Sequence, residues 1–180
     1  MSKLTITTFL TLDGVMQAPG GPKEDPSGSF VHGGWLVPYA DADMGKFMAE
    51  VFAKANAFLL GRRTYEVFAA HWPRVTDKEH PVASALNRLP KHVATKTLQE
   101  ATWNQTTRVR NVVSEVPKLK KKYARELQVH GSCGLAQALI QNDLVDQYNI
   151  LVFPVVLGSG KREAGSGFSA PARSLRRSRW

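Results

Sequence analysis

The sequence of 180 residues has only one cysteine, Cys133. No disulfide can therefore form within the chain, which favours a reducing compartment, and we expect a cytoplasmic protein. Five histidines have no paired spacing with one another or with this cysteine, so we expect no metal site. Apolar runs fall short of the roughly 20 residues that a membrane span needs, and the first ten residues do not have the pattern of a signal peptide. We therefore expect no membrane association.

Acidic residues are also scarce, with 15 Asp and Glu against 24 Lys and Arg and a formal net charge of +9. A net positive charge of this size can favour binding to nucleic acids, anionic membrane surfaces or acidic ligands. Part of the charge is a lysine cluster within one predicted helix, at Lys118, Lys120, Lys121 and Lys122. A run of this kind usually forms a solvated helix face, so nucleic-acid binding is the less favoured interpretation.

Hydrophobic periodicity predicts strands that alternate with helices. Residues 4–10 alternate as a first strand, residues 13–38 form a long Gly- and Pro-rich loop, and Met44 to Phe52 have the spacing of an amphipathic helix. Further strands are predicted at 57–60, 91–95, 108–113, 127–130 and 148–156, and further helices at 64–70, 82–89, 115–125 (capped by Ser114) and 135–141. This order indicates an α/β fold with a largely parallel sheet. One domain is expected over residues 1–162, followed by a basic, low-complexity and disordered tail over residues 163–180.

Two strand-to-helix junctions have the character of phosphate sites. The first is Gly61-Arg62-Arg63-Thr64, in which a glycine, a hydroxyl and two arginines meet the free N–H groups of a helix start. The second is Gly131-Ser132-Cys133-Gly134-Leu135, directly after the predicted strand LQVH. Alternatives remain open: a turn with two solvent-facing arginines for the first, and an ordinary tight turn with Cys133 as a small filler for the second.

Two further stretches follow predicted strands, at the sheet edge where open α/β sheets bind ligands. Thr95-Lys96-Thr97 could hold an isolated phosphate, such as the 2′-phosphate of NADP, although an exposed loop lysine is the favoured interpretation of this stretch taken alone. Asp13 could orient a polar ligand or relay a proton as a catalytic group. A carboxylate that caps a turn is the alternative.

Four segments, in this order, resemble the dihydrofolate-reductase-like family: TTFLTLDGVMQAPG, FLLGRRTYEVFAAHWP, HVATKTL and LQVHGSCGLAQALIQNDLVDQYNILVFPVVLGSGKR. The similarity covers residues 3–162. It is greatest to the C-terminal reductase domain of the bacterial riboflavin-biosynthesis deaminase–reductase and to its stand-alone relatives.

The resemblance implies a mostly parallel central sheet flanked by helices, with NADPH bound across the strand ends. It implies that Gly61 to Thr64 hold cofactor phosphates, that Thr95 and Lys96 meet the 2′-phosphate, and that Gly131 to Leu135 hold the pyrophosphate. Asp13 and Val15 would lie near the nicotinamide and the substrate. The implied function is hydride transfer from NADPH to a small substrate, such as a pterin- or flavin-precursor-like heterocycle. A nucleotide-binding protein without turnover is the alternative.

The C-terminus departs from the family pattern. Relatives continue the Gly-Lys-Arg stretch with Leu-Phe and one or two further strands, whereas Lys161-Arg162 is followed here by Glu163-Ala164-Gly165. We therefore expect C-terminal strands to be missing or altered, which would leave the last apolar strand unpaired. An unpaired edge of this kind favours either a homodimer through that strand or a loss of stability.

Overall fold

Six parallel strands form one sheet in the computed structural model, which describes residues 1–162. The strands are β1 (Leu4–Thr11), β2 (Ala55–Gly61), β3 (Lys91–Ala94), β4 (Thr106–Val109), β5 (Glu126–His130) and β6 (Gln147–Phe153), in the order β4-β3-β2-β5-β1-β6. The predicted α/β fold with a parallel sheet is thus confirmed. The tail predicted for residues 163–180 lies outside the described residues.

In the described part of the chain five α-helices flank the sheet: α1 (Ala42–Ala53), α2 (Arg62–His71), α3 (Pro81–Arg88), α4 (Val112–Lys122) and α5 (Cys133–Gln141). Helices α4 and α5 pack on one face, around Leu4, Leu59 and Leu127, whereas α1, α2 and α3 cover Phe58 and Leu60 on the other face. No helix within residues 1–162 has the length and apolarity needed to cross a membrane.

The boundaries of β4 and α4 differ from the sequence-based expectation. Strand β4 ends at Val109, and α4 begins at Val112 rather than after Ser114. The cap is Asn111, whose side-chain oxygen accepts hydrogen bonds from Val113 N and Ser114 N. An asparagine at the N-cap satisfies two orphan donors and so starts the helix earlier than the predicted serine would.

The long loop between β1 and α1 packs against the carboxyl end of β6. Val15, Phe30, Trp35 and Phe153 are buried together there. The loop is organised by Gln17, whose amide nitrogen donates to two loop carbonyls and whose backbone oxygen accepts from Trp35 Nε1 at 2.9 Å. The loop predicted over residues 13–38 is therefore an ordered part of the sheet edge.

Strand β6 pairs with β1 on one side, and no further strand follows it within residues 1–162. Its residues Ile150 and Val152 are exposed. Beyond β6 the chain turns back across the carboxyl edge of the sheet, where Met16 N donates to Lys161 O and Val15 forms an antiparallel bridge with Arg162.

The order of the strands creates a crevice between β2 and β5. Helix α2 leads from β2 towards β3 on one side, whereas α5 leads from β5 to β6 on the other side. The two connections diverge at the carboxyl ends of β2 and β5, and we call this part of the sheet edge the crevice. Open α/β sheets bind ligands at such a reversal.

Candidate functional site

The β2–α2 and β5–α5 junctions are joined by the hydroxyl of Ser132. Gly61 N donates to Ser132 Oγ at 3.1 Å, and Thr64 Oγ1 lies 2.5 Å from the same oxygen. A Cβ atom on Gly61 would lie 2.4 Å from Ser132 Oγ, which is far inside contact distance. Glycine at position 61 is therefore what allows the two junctions to approach this closely.

Ser132 holds an unusual backbone conformation. Gly131 and Ser132 both have positive φ, 69° and 67°, and for the serine this is a sparsely populated region. Such conformations cost on the order of 1–3 kcal/mol and cluster at ligand-binding turns. The conformation directs the Ser132 side chain to the neighbouring junction and away from the N-terminus of its own helix.

The two helices at the crevice differ from the other three in their N-terminal caps. Asp41 accepts from Met44 N at the start of α1, His80 Nδ1 caps α3, and Asn111 caps α4. Helices α2 and α5 have no side-chain cap from residues 1–162. The positive dipole ends of both helices therefore lie at the crevice, an arrangement suited to an anion.

The predicted turn Thr95-Lys96-Thr97 lies beside the turn formed by Gly61 to Thr64. Arg62 Nη1 donates to Thr97 Oγ1 at 2.5 Å, and its Nε pairs with Glu66 at 2.7 Å. Thr95 Oγ1 accepts from the amides of Thr97 and Leu98, and Lys96 is exposed. The three turns predicted from the sequence thus lie together along one sheet edge.

Arg63 reaches the loop that follows β1. Its guanidinium forms an ion pair with Asp25 and donates to Ser27 Oγ, and Lys161 Nζ lies 2.7 Å from the other carboxylate oxygen of Asp25. Burial raises the pKa of Asp25, but the hydrogen bonds from Lys161 and Ser27 outweigh burial and leave this pKa below its usual value. Asp25 is therefore a charged carboxylate between two cations.

Asp13 is held by contacts that order the chain after β6. Its carboxylate accepts from Thr11 Oγ1 at 2.6 Å and from the amides of Leu157 and Gly158. The hydrogen bond from Thr11 leads the set of contacts that lowers the pKa of Asp13 to about 2. An ionised, fully engaged carboxylate suits a positioning task better than proton transfer near neutral pH, and its catalytic role stays a prediction.

Val15 is part of the core cluster beneath the loop that follows β1. Its side chain is completely buried, its N–H donates to Thr11 Oγ1 and its carbonyl accepts from Thr11 N. Both backbone groups and the side chain are thus engaged within the protein. The loop uses Val15 as a core residue, and its predicted contact with a cofactor stays a prediction.

Cys133 lies in the first turn of α5, half-buried against the end of the described chain. Its thiol donates to Arg162 O at 2.8 Å, and Gln137 Nε2 donates to the same carbonyl at 2.9 Å. The backbone at Arg162 is therefore fixed to α5, while the Arg162 side chain donates to Asp13 O.

Sequence reasoning missed four residues at this edge: Asp25, Ser27, Lys161 and Arg162. Asp25 and Ser27 lie in a loop without hydrophobic periodicity, so the sequence pattern could not predict that they contact Arg63. The adjacent cations Lys161-Arg162, which follow the last predicted strand and its turn, were the available signal. Within residues 1–162 no group of His, Cys, Asp and Glu side chains has the arrangement of a metal site.

Comparisons with known proteins support the fold. A family model described as the RibD C-terminal domain matches residues 2–178. The uncharacterized protein YyaP of Bacillus subtilis is 26% identical over 162 residues, which cover 88% of this chain and 78% of that protein.

Solved structures share the same architecture. A putative riboflavin biosynthesis protein from Shewanella sp. PV-4 is similar with a TM-score of 0.62 and 18% identity, over 93% of this chain and 86% of that chain. Dihydrofolate reductase from Enterococcus faecalis, complexed with NADP(H), has a TM-score of 0.57 and 15% identity, over 91% and 77% of the two chains. Schistosoma mansoni dihydrofolate reductase has a TM-score of 0.56 and 14% identity, over 91% and 81%. At these identities the structures establish the fold alone.

Proposed function

We propose that this chain, which belongs to the RibD C-terminal domain family, is an NADPH-dependent reductase of a small substrate. Family membership and the fold of dihydrofolate reductases support an oxidoreductase in general. The observation that carries the cofactor is the pair of uncapped helix N-termini joined through Ser132 at the crevice. NADPH would supply a hydride for a C=N or C=O carbon, and the protein would supply position and electrostatic field.

The residues at the crevice fit such a cofactor. Within residues 1–162 the N-termini of α2 and α5 have no side-chain cap, which suits a diphosphate, and Gly61 lets the two junctions approach closely through Ser132. Arg63 would add a charge-assisted contact to phosphate, and the exposed Lys96, with Thr95, would bind the adenosine 2′-phosphate. We propose a pterin- or flavin-precursor-like heterocycle as substrate, with Asp13 fixing the loop beside it.

A fluorescence titration tests cofactor binding. Wild type should bind NADPH, and Arg63→Gln should bind it about tenfold more weakly, because a hydrogen bond to a charged group contributes about 1.5–3 kcal/mol. Arg74→Gln removes an exposed arginine outside the crevice and is the matched control. Lys96→Gln should weaken NADPH binding and leave NADH binding unchanged, since only NADPH has the 2′-phosphate. A wild type that binds neither nucleotide would refute the proposal.

The single cysteine gives an independent readout of where the cofactor binds. Cys133 lies in the first turn of α5, so a thiol reagent reports on that helix end. NADPH at saturating concentration should slow the labelling of Cys133, whereas adenosine without phosphates should not. Equal labelling rates with and without bound NADPH would place the cofactor elsewhere.

A nucleotide-binding protein without turnover is the second candidate, and the engagement of Asp13 favours it. The carboxylate is ionised and fully bonded, so a ready proton donor is not evident in it. NADPH oxidation in the presence of a panel of small heterocycles decides between the two. Binding with no oxidation across the panel would favour the protein without turnover.

The contacts of α4 make nucleic-acid binding by its lysine cluster a less favoured function. Lys118 pairs with Glu115 and Lys120 with Asp146, so two of the four clustered lysines are engaged within the protein. Binding to DNA that falls steeply with salt, retained after removal of residues 163–180, would restore this alternative.

A further inference from the structure

The contacts of Asp25 join three distant parts of the chain at the crevice. Its carboxylate is bonded to Arg63 in the first turn of α2 and to Lys161 after β6. The side chain of Asp25 is 12% exposed, whereas those of Arg63 and Lys161 are 54% and 41% exposed. The two cations thus reach out from the surface and meet over a largely covered carboxylate.

The loop that carries Asp25 is built to present this carboxylate. Ser27 donates to Asp25 Oδ1 through its backbone amide and its hydroxyl, which fixes the orientation of the side chain. Gln17 donates to the backbone oxygens of Asp25 and Ser27 and accepts from Lys161 N at 3.0 Å. The loop and the Lys161 segment therefore form one hydrogen-bonded unit with Arg63 at its rim.

This unit has the donors of an anion-binding site, and the anion that they bind is the carboxylate of Asp25. An arginine, a lysine and a serine hydroxyl converge on two carboxylate oxygens, and the same donors match the oxygens of a phosphate group. Arg63 is one of the groups assigned above to the cofactor. Its guanidinium cannot hold Asp25 and a ligand phosphate in the same way at once.

We propose that Asp25 is an internal counter-ion that competes with a ligand phosphate for Arg63 and Lys161, and that binding of a phosphate or diphosphate group releases the loop. The proposal rests on the proposed function for the identity of the ligand, but the competition itself requires only an anion. Lys161 thereby becomes a phosphate-binding residue, and the loop over the crevice is coupled to occupancy of the site.

The neighbouring carboxylate provides a matched control. Glu24 accepts from the amides of Gly20 and Gly21 and has no ion pair within the described residues. Glu24→Gln and Asp25→Asn change the net charge equally, one residue apart in the same loop. Any difference between them reports the specific contact of Asp25 with the two cations, because the long-range field changes in the same way.

The affinities of the full chain for NADPH and for inorganic pyrophosphate test the proposal. Asp25→Asn should bind both about three- to tenfold more tightly than wild type, since partly exposed ion pairs shift equilibria by less than tenfold each. Glu24→Gln should stay within twofold of wild type. In an Arg63→Gln background the gain from Asp25→Asn should shrink, because one of the competing cations is gone.

Three outcomes would overturn the proposal. Equal affinities for Asp25→Asn and Glu24→Gln would show that Asp25 does not compete, and weaker binding by Asp25→Asn would make the carboxylate part of the ligand site. Circular dichroism checks folding, and Asp25→Ser replaces Asp25→Asn if that variant is unfolded. Loss of folding in both would assign Asp25 a purely structural role. A wild type that binds pyrophosphate but not NADPH would remove the proposed function and leave this test intact.

Discussion

Replacing Gly61 by alanine should separate the two junctions of the crevice. The added Cβ would lie 2.4 Å from Ser132 Oγ and 2.6 Å from Ser132 Cβ, so either the serine or the end of β2 must move. Ser132 cannot turn away without losing its contacts with Gly61 N and Thr64 Oγ1. Forced overpacking of this kind typically costs about 1–3 kcal/mol. We expect Gly61→Ala to lower the free energy of unfolding by about 2 kcal/mol.

Thermal unfolding followed by circular dichroism measures this effect. For a chain of this length about 2 kcal/mol corresponds to a fall in Tm of roughly 4–8 °C. Gly45→Ala is the matched control, because a Cβ at this position in α1 meets nothing within 4 Å. An alanine inside a helix is favoured over glycine by about 0.5–1 kcal/mol, so the control should raise Tm.

The double variant Gly61→Ala/Ser132→Gly tests the cause. Removal of the serine side chain removes both clashing atoms. The double variant should therefore lose less free energy of unfolding than the sum of the losses in the two single variants. NADPH affinity should fall in Gly61→Ala and stay unchanged in Gly45→Ala. A Gly61→Ala protein with the stability of wild type would refute the close approach of the two junctions.

Two further predictions concern acid stability and assembly. Burial, with a smaller contribution from the charge of Lys122, lowers the pKa of His92 from 6.5 to about 4, and burial lowers that of His130 to about 3. Below pH 6.5 the unfolded chain therefore binds more protons than the folded one, and each histidine should remove about 2 kcal/mol of stability between pH 7 and pH 5. Urea unfolding at the two pH values measures this, and equal stabilities would contradict it. We also propose a homodimer through the edge of β6: Val152→Lys should yield monomers in native mass spectrometry, Val31→Lys, in an exposed loop, should not, and a monomeric wild type would contradict the dimer.

The sequence was sufficient to predict the sheet and three of its turns, because both leave local signals. The alternation in β1 and the helical spacing in α1 predict which residues face the core. A glycine near a hydroxyl-bearing residue, directly after a buried strand, indicates the junctions at Gly61 and Gly131. The starts of helices were less predictable. Asn111 and Ser114 are both good N-caps, and only the path of the chain after β4 decides between them.

The charged half of the crevice could not be predicted in this way. Arg63 and Asp25 are 38 residues apart, and Lys161 and Asp25 are 136 residues apart, in segments without a period. Their meeting depends on the hydrogen bonds of Gln17 and on the return of the chain across the sheet edge after β6. For the same reason the burial of Val15 by the folded loop could not be predicted from the sequence.

The contacts of the Ser132 hydroxyl favour a ligand-binding role for this edge of the sheet. A serine at an N-cap usually accepts from its own helix, and such a cap contributes about 0.5–2 kcal/mol. Here the hydroxyl instead bonds Gly61 and Thr64, the backbone of Ser132 is held at positive φ, and α2 starts at a glycine that cannot cap with a side chain. Three helices of the same chain do have side-chain caps, so the sequence can provide them. Stability alone would favour the same solution at α2 and α5. Two helix ends without side-chain caps within residues 1–162, at the point where the connections of the sheet diverge, therefore support the proposed anionic ligand.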